Sequence, residues 1–119
     1  MNGMKYSIWI EAEEWAEGEW NIVDGNTDAI VTFEDGSRWV GSFFTYKNIQ
    51  TLADKNKHTG ECLHGKYLWG SDMVLVDECS RKRIEEVTAH LIVSGEFEVV
   101  FGRCEDEYSD VTVEYWENS

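Results

Sequence analysis

Proline is absent from this chain of 119 residues, and bases are scarce: ten Lys and Arg stand against twenty-four Asp and Glu, a net charge of −14. A surface of that sign repels phosphate backbones and disfavours docking to anionic membranes, so the composition argues against both kinds of partner. Without proline, the ten glycines do the punctuation. No apolar run approaches the roughly 20 residues a spanning helix needs. Residues 1–25 reach five Glu by Glu19 and hold no apolar stretch of signal-peptide type, so the expected address is cytoplasmic. Cysteine is limited to Cys62, Cys79 and Cys104, an odd count at spacings that match no paired metal or redox motif. Reduced, buried thiols are expected. Nucleotide loops of the GxGxxG or GxxxxGK[ST] type are missing, and no cofactor is expected.

The chain is 42% hydrophobic and 13% aromatic, with six Trp, five Tyr and five Phe, enough for one core and too much for wholesale disorder. The length sets a single globular domain over 1–119. The Asp35-Gly36 pair between Ala29–Phe33 and Arg38–Phe44 predicts a β-hairpin. A two-residue loop there sets Val31 opposite Val40 and Thr32 opposite Trp39, with apolar side chains on both faces of the hairpin. Further strands are expected at Lys5–Ile10, Trp20–Val23, Tyr67–Trp69, Met73–Val76, Phe97–Phe101 and Val111–Trp116. Helices are expected from an N-cap at Thr45 through Lys55, and from an N-cap at Ser80 to a stop at Ser94-Gly95. Together these elements predict an α+β fold: one domain, a largely antiparallel sheet of five to seven strands, and two α-helices. Arg81-Lys82-Arg83 sits at the unfavourable end of the second helix dipole, which suggests that these bases pair with acids elsewhere.

Candidate chemistry is thin. His58, Cys62 and His64 lie in one glycine-bounded loop, but no second short pair of ligands accompanies them, so no metal site is predicted. No third group is evident to orient a Cys-His pair, and no catalytic residue is assigned. His90 lies beside the apolar stripe of the second helix and reads as a core residue.

The informative feature is where the acids lie. Residues 11–35 hold nine acids and no Lys or Arg, residues 96–119 hold eight acids against Arg103, and the stretch between is nearly neutral. Trp15 and Trp20 stand among five Glu, which reads either as a solvated acidic surface with both indoles turned inward or as a binding face for a basic protein. On the second reading the contacts are Glu11, Glu13, Glu14, Glu17, Glu19 and Asp24, with Trp15 as anchor and Glu105, Asp106, Glu107 and Asp110 in support.

The stretches Val31–Val40, Phe43–Ile49, Thr59–Trp69 and Ser71–Met73 resemble a small bacterial domain, that of immunity proteins encoded beside polymorphic or contact-dependent growth-inhibition toxins. The resemblance spans about residues 28–102. It implies a non-enzymatic cytoplasmic inhibitor that binds one cognate toxin domain, often a basic nuclease. Two other classes remain in view: an acidic nucleic-acid mimic that occupies DNA-binding enzymes, and a small hydrolase built on Cys62 and His64.

Overall fold

The computed structural model describes residues 3–104. The chain forms an α+β domain around a five-stranded sheet. Strand β1 (Tyr6–Ile10) pairs antiparallel with β2 (Asn26–Phe33), and β2 pairs antiparallel with β3 (Arg38–Thr45). Beyond β3 two short strands share one flank. β4 (Met73–Val76) runs parallel to the Ser42–Thr45 end, and β5 (Gly102–Cys104) runs antiparallel to the Arg38–Val40 end.

Period-2 burial is clean in the hairpin. Thr27, Ala29, Val31, Phe33, Trp39, Phe43 and Thr45 are buried on one face, while Ile30, Thr32, Val40, Ser42 and Phe44 are half-buried on the other. The register corrects the two-residue loop. Val31 lies opposite Trp39 and Thr32 opposite Arg38, one residue from the expected pairing. The turn takes three residues instead: Phe33 N–H donates to Ser37 O at 2.9 Å, Gly36 N–H to Phe33 O at 2.9 Å, and Gly36 adopts φ 90°. The Asp35 carboxylate accepts from Ser37 N–H and its hydroxyl, which draws its pKa below the usual value. Glycine in the left-handed position is what this longer loop requires. The shift of one places Trp39, rather than Val40, beside Val31 on the core face.

Two long helices pack on the sheet. After a 3₁₀ turn at Glu11–Glu14, α1 (Tyr46–Thr59) starts at the Thr45 N-cap and runs four residues beyond the expected Lys55, to Gly60 at φ 88°. A short segment, α2 (Glu61–Gly65), follows. Helix α3 (Arg81–Ser94) begins where Ser80 accepts from Arg83 N–H and ends at Gly95, φ 82°. Its buried stripe is Ile84, Thr88 and Ile92, spaced four apart.

The expected strand at Phe97–Phe101 is instead one helical turn, α4 (Phe97–Val100), followed by extended Phe101. The spacing explains the outcome. Phe97 and Phe101 are both buried and their rings stack with centroids 4.4 Å apart, whereas Val99 is exposed; a strand would put all three on one face. Phe97 meets Phe33 and Trp39 edge-on at 5.4 and 5.5 Å, and Phe101 meets Phe43 at 5.9 Å. Trp20–Val23 is likewise not a strand. Asn21 Oδ1 accepts from Val23 and Asp24 N–H at 3.0 and 2.9 Å, a side-chain turn that replaces ladder pairing. Tyr67–Trp69 is irregular as well, and the strand expected at Val111–Trp116 lies outside the described residues.

Parallel β3 and β4 require a crossover, and α1 with α2 supplies it. Ser42 N–H donates to Asp72 O, which sets the flank on which β4 lies. A right-handed crossover to that flank carries α1 over the face bearing Ser42 and Phe44, opposite α3. Asn26, on that face, donates to Asn48 Oδ1 of α1 at 2.9 Å. The hairpin therefore has helices on both sides.

Two substitutions test this core. A Cβ at Gly41 would stand 2.7 Å from a ring carbon of Phe101, so Gly41→Ala should cost about 1–3 kcal/mol in urea unfolding. Adding Phe101→Leu should cost less than the two single changes summed, because the smaller side chain relieves the clash. Thr88 is fully buried and its hydroxyl has no hydrogen-bond partner among the described residues. Thr88→Val should leave stability unchanged or raise it by about 1 kcal/mol, read by the same unfolding curves.

Candidate partner-binding surface

The acidic residues from Glu11 to Asp24 do not form one uniform skin. Glu13 is held by Arg81, whose Nε and Nη2 both donate to its carboxylate at 2.7 Å. Those bonds lower the Glu13 pKa, and the same contacts with Glu85 raise that of Arg81. Arg81 also donates to Glu85 at 2.9 Å and to Ile8 O at 2.9 Å, so one guanidinium ties α3 to β1 and to the 3₁₀ turn. Arg83 binds Asp77 and Glu86 at 2.8 Å each, which lowers the Asp77 pKa. Arg81 and Arg83 thus find acids, as their position against the dipole suggested, whereas Lys82 is exposed and forms no ion pair among the described residues.

The remaining acids fall into two groups. Glu14 accepts from the Trp9 indole at 3.3 Å, and Glu19 accepts from Ala16 N–H at 3.1 Å. Asp24 accepts from Asn48 Nδ2 at 3.1 Å and Thr51 Oγ1 at 2.9 Å; those two bonds hold its carboxyl below the usual range. It therefore anchors α1 to the loop before β2. Glu17 is exposed and Glu11 half-buried, and neither carboxylate makes a hydrogen bond or ion pair among the described residues. Trp15 is half-buried and packs against the hydrophobic core. Glu105, Asp106, Glu107 and Asp110 lie outside the described residues.

The His58–Gly65 loop is built differently from any loop the sequence suggests. Cys62, Leu63 and His64 all adopt left-handed backbone, φ 52°, 52° and 58°, a conformation that costs roughly 1–2 kcal/mol per non-glycine residue. Lys66 N–H closes the turn on Cys62 O at 3.0 Å, and the bare Cα of Gly65 lies against the Ala53 carbonyl of α1. No hydrogen bond joins Cys62 to His58 or His64 among the described residues, and no three metal-ligating side chains come together there. The turn instead holds Leu63 out, 66% exposed; Tyr67 and Trp69 follow at 50% and 73%. Reading Tyr67–Trp69 as strand hid this exposure. The glycines at 60 and 65 that bound it were the only local signal. Elsewhere Cys79 is buried, and burial pushes its thiol pKa up.

Folding lowers the Glu13 pKa from its ordinary 4.5, so the Arg81 pair stabilises the fold above that pH and its contribution fades as the pH falls through the depressed value. Both side chains are more than a third exposed, 37% and 38%, so screening limits the pair to about 0.5–1 kcal/mol. Glu13→Gln should therefore lower the urea midpoint at neutral pH, and the two proteins should converge in acid, once the pH has fallen through the depressed Glu13 pKa. A gap that persists undiminished in acid would show that the carboxylate charge is not what matters.

Among the described residues no helix is long and apolar enough to cross a membrane. Comparison with known proteins finds no matching family model, no matching curated protein and no matching solved structure.

Proposed function

We propose that the chain is a cytoplasmic immunity protein: a non-enzymatic inhibitor that binds and neutralises one cationic toxin domain, of nuclease type, through its acidic, aromatic-containing face. The observation that carries this reading is the imbalance over residues 11–35, nine acids without one base of their own. Across the fold, Arg81 engages Glu13 alone of that set. The resemblance of residues 28–102 to immunity domains supplies the class of partner.

The geometry assigns different work to the acids within that face. Glu13 and Asp24 bind Arg81, Asn48 and Thr51, so their first duty is to the fold. Glu11, Glu14, Glu17 and Glu19 keep carboxylate oxygens available for steering, with Glu105, Asp106, Glu107 and Asp110 adding charge in the sequence beyond. Trp15 offers an edge from a side chain already seated on the core. An anchor of that kind gains rigidity at little entropic cost on binding.

The test uses the basic domain encoded by the adjoining gene and a variant with Glu11, Glu14, Glu17 and Glu19 changed to Gln. Stopped-flow association at low and high salt should show the on-rate falling by about tenfold at low salt, with a flatter salt dependence and a little-changed dissociation rate. Unchanged association, or an adjoining gene without a cationic domain, would overturn the assignment.

A further inference from the structure

On the sheet face away from α3, the strand register gathers residues into two adjacent rows. One is Trp9, Ile30, Val40 and Gly102; the other, nearer the hairpin turn, is Ser7, Thr32, Arg38 and Cys104. The first row is apolar and open. Trp9 is 45% exposed, with its indole N–H on Glu14, and Ile30 and Val40 are half-buried. The hydrogen bond that joins α1 to this face, Asn26 to Asn48, lies about 13 Å back along β2 from Ile30. The second row holds a cation without a counterpart. Arg38 is half-buried yet makes no hydrogen bond or ion pair among the described residues. Across the apolar row from Arg38 stand two acids, Asp28 bonded to Ser42 and Asp72 over Gly102. Cys104, the last described residue, lies in the Arg38 row itself. Residues 105–119 follow without a Lys or Arg. Glu105, Asp106 and Glu107 come first, and Val111, Val113 and Tyr115 then alternate with Thr112 and Glu114. An extended run of that pattern offers three apolar side chains to one side.

We infer that these two rows are a docking surface for the chain's own segment Val111–Trp116, with Arg38 taking carboxylates from Glu105–Glu107. The distances allow it. β5 and β1 stand three strand spacings apart, about 14 Å, and residues 105–110 can span about 20 Å. Val111 and the residues after it therefore reach any point of the Trp9–Ile30–Val40 row. The tether decides the occupant. A segment joined so close by has an effective concentration on the order of millimolar, so a modest apolar contact suffices to hold it. Arg38 lies directly across from Cys104, within contact range of the first acids of the segment. Asp28 and Asp72 repel those acids from the far side of the row, which fixes the end at which they lie. A second copy would instead bring together two chains of net charge −14, and a nucleic acid would meet Asp28 and Asp72 as well as Arg38. The inference uses no toxin contact and stands apart from the proposed function.

The experiment uses the full chain, isotope-labelled for NMR. Nuclear Overhauser contacts should join the Val111 or Val113 methyls to the methyls of Ile30 or Val40, or to the Trp9 ring. Val111→Asp with Val113→Asp should remove them and shift the Trp9 indole N–H resonance, because the ring loses its cover. Arg38→Glu should reduce the contacts to about half their intensity, since it sets like charges against each other at the start of the segment. Both variants should keep the thermal unfolding midpoint of the parent to within a few degrees, about the shift that a surface substitution produces. Absence of the contacts in the parental chain would overturn the inference, as would a Trp9 indole resonance unmoved in the double variant. Contacts found only between labelled and unlabelled chains of a mixed sample would also overturn it, and would assign the face to a second copy.

Discussion

The Phe101 ring lies on the bare Cα of Gly41, and the architecture depends on that close approach. With the ring seated there, Phe101 reaches Phe43 on one side and stacks on Phe97 on the other, and Phe97 carries the contact on to Trp39 and Phe33. Both strands of the hairpin and the turn after α3 thus meet in one aromatic chain. The next residue repeats the device: a Cβ at Gly102 would strike the Asp72 carboxylate. Asp72 in turn accepts from Ser42 N–H, so the loop that delivers β4 and the strand β5 are set against each other along one flank of β3. Two glycines govern this arrangement through what they lack.

Local chemistry was legible in the sequence where one residue settles the outcome. Thr45 and Ser80 cap their helices, Gly95 ends the second, and the hairpin turns at Asp35-Gly36. What was not legible needed a distant partner. Whether Gly36 closes a two- or three-residue loop depends on which face of β3 the helices bury. Only tertiary packing chooses Trp39 over Val40. Phe97–Phe101 has strand composition, and it becomes a turn because both phenylalanines find the same aromatic pocket. The candidate site divides in the same way. The acidic composition was plain, but the separation of Glu13 and Asp24 from Glu11 and Glu17 depends on Arg81, Asn48 and Thr51, which lie 68, 24 and 27 residues away along the chain.

Arg81 shows how one side chain can serve several ends. A base in the first turn of a helix opposes the dipole at a cost of a few tenths to about 1 kcal/mol. Glu13 and Glu85 offset it, and the fourth contact, to Ile8 O, occupies an outward backbone group of β1. β1 is the edge of the sheet. An unpaired edge invites another strand, and a guanidinium bound across it is one way to blunt it. The shallow groove between β1 and α3, lined by Tyr6, Ile8, Arg81, Lys82 and Glu85, is thus partly closed by the interaction that fastens α3.

The charge distribution separates two requirements that a uniformly acidic surface would confuse. Steering acts over distance and needs excess carboxylates, which repel one another and burden the free fold. Anchoring acts at contact and needs rigid apolar area. The chain places its excess acids on a 3₁₀ turn and loop fastened by Arg81, and two of its exposed aromatics, Tyr67 and Trp69, just after a glycine-braced turn fastened to α1. Three consecutive left-handed residues are an expensive way to build that second turn, roughly 3–6 kcal/mol in all. Leu63 stands outward from that turn, 66% exposed, while Gly65 packs its backbone against the Ala53 carbonyl.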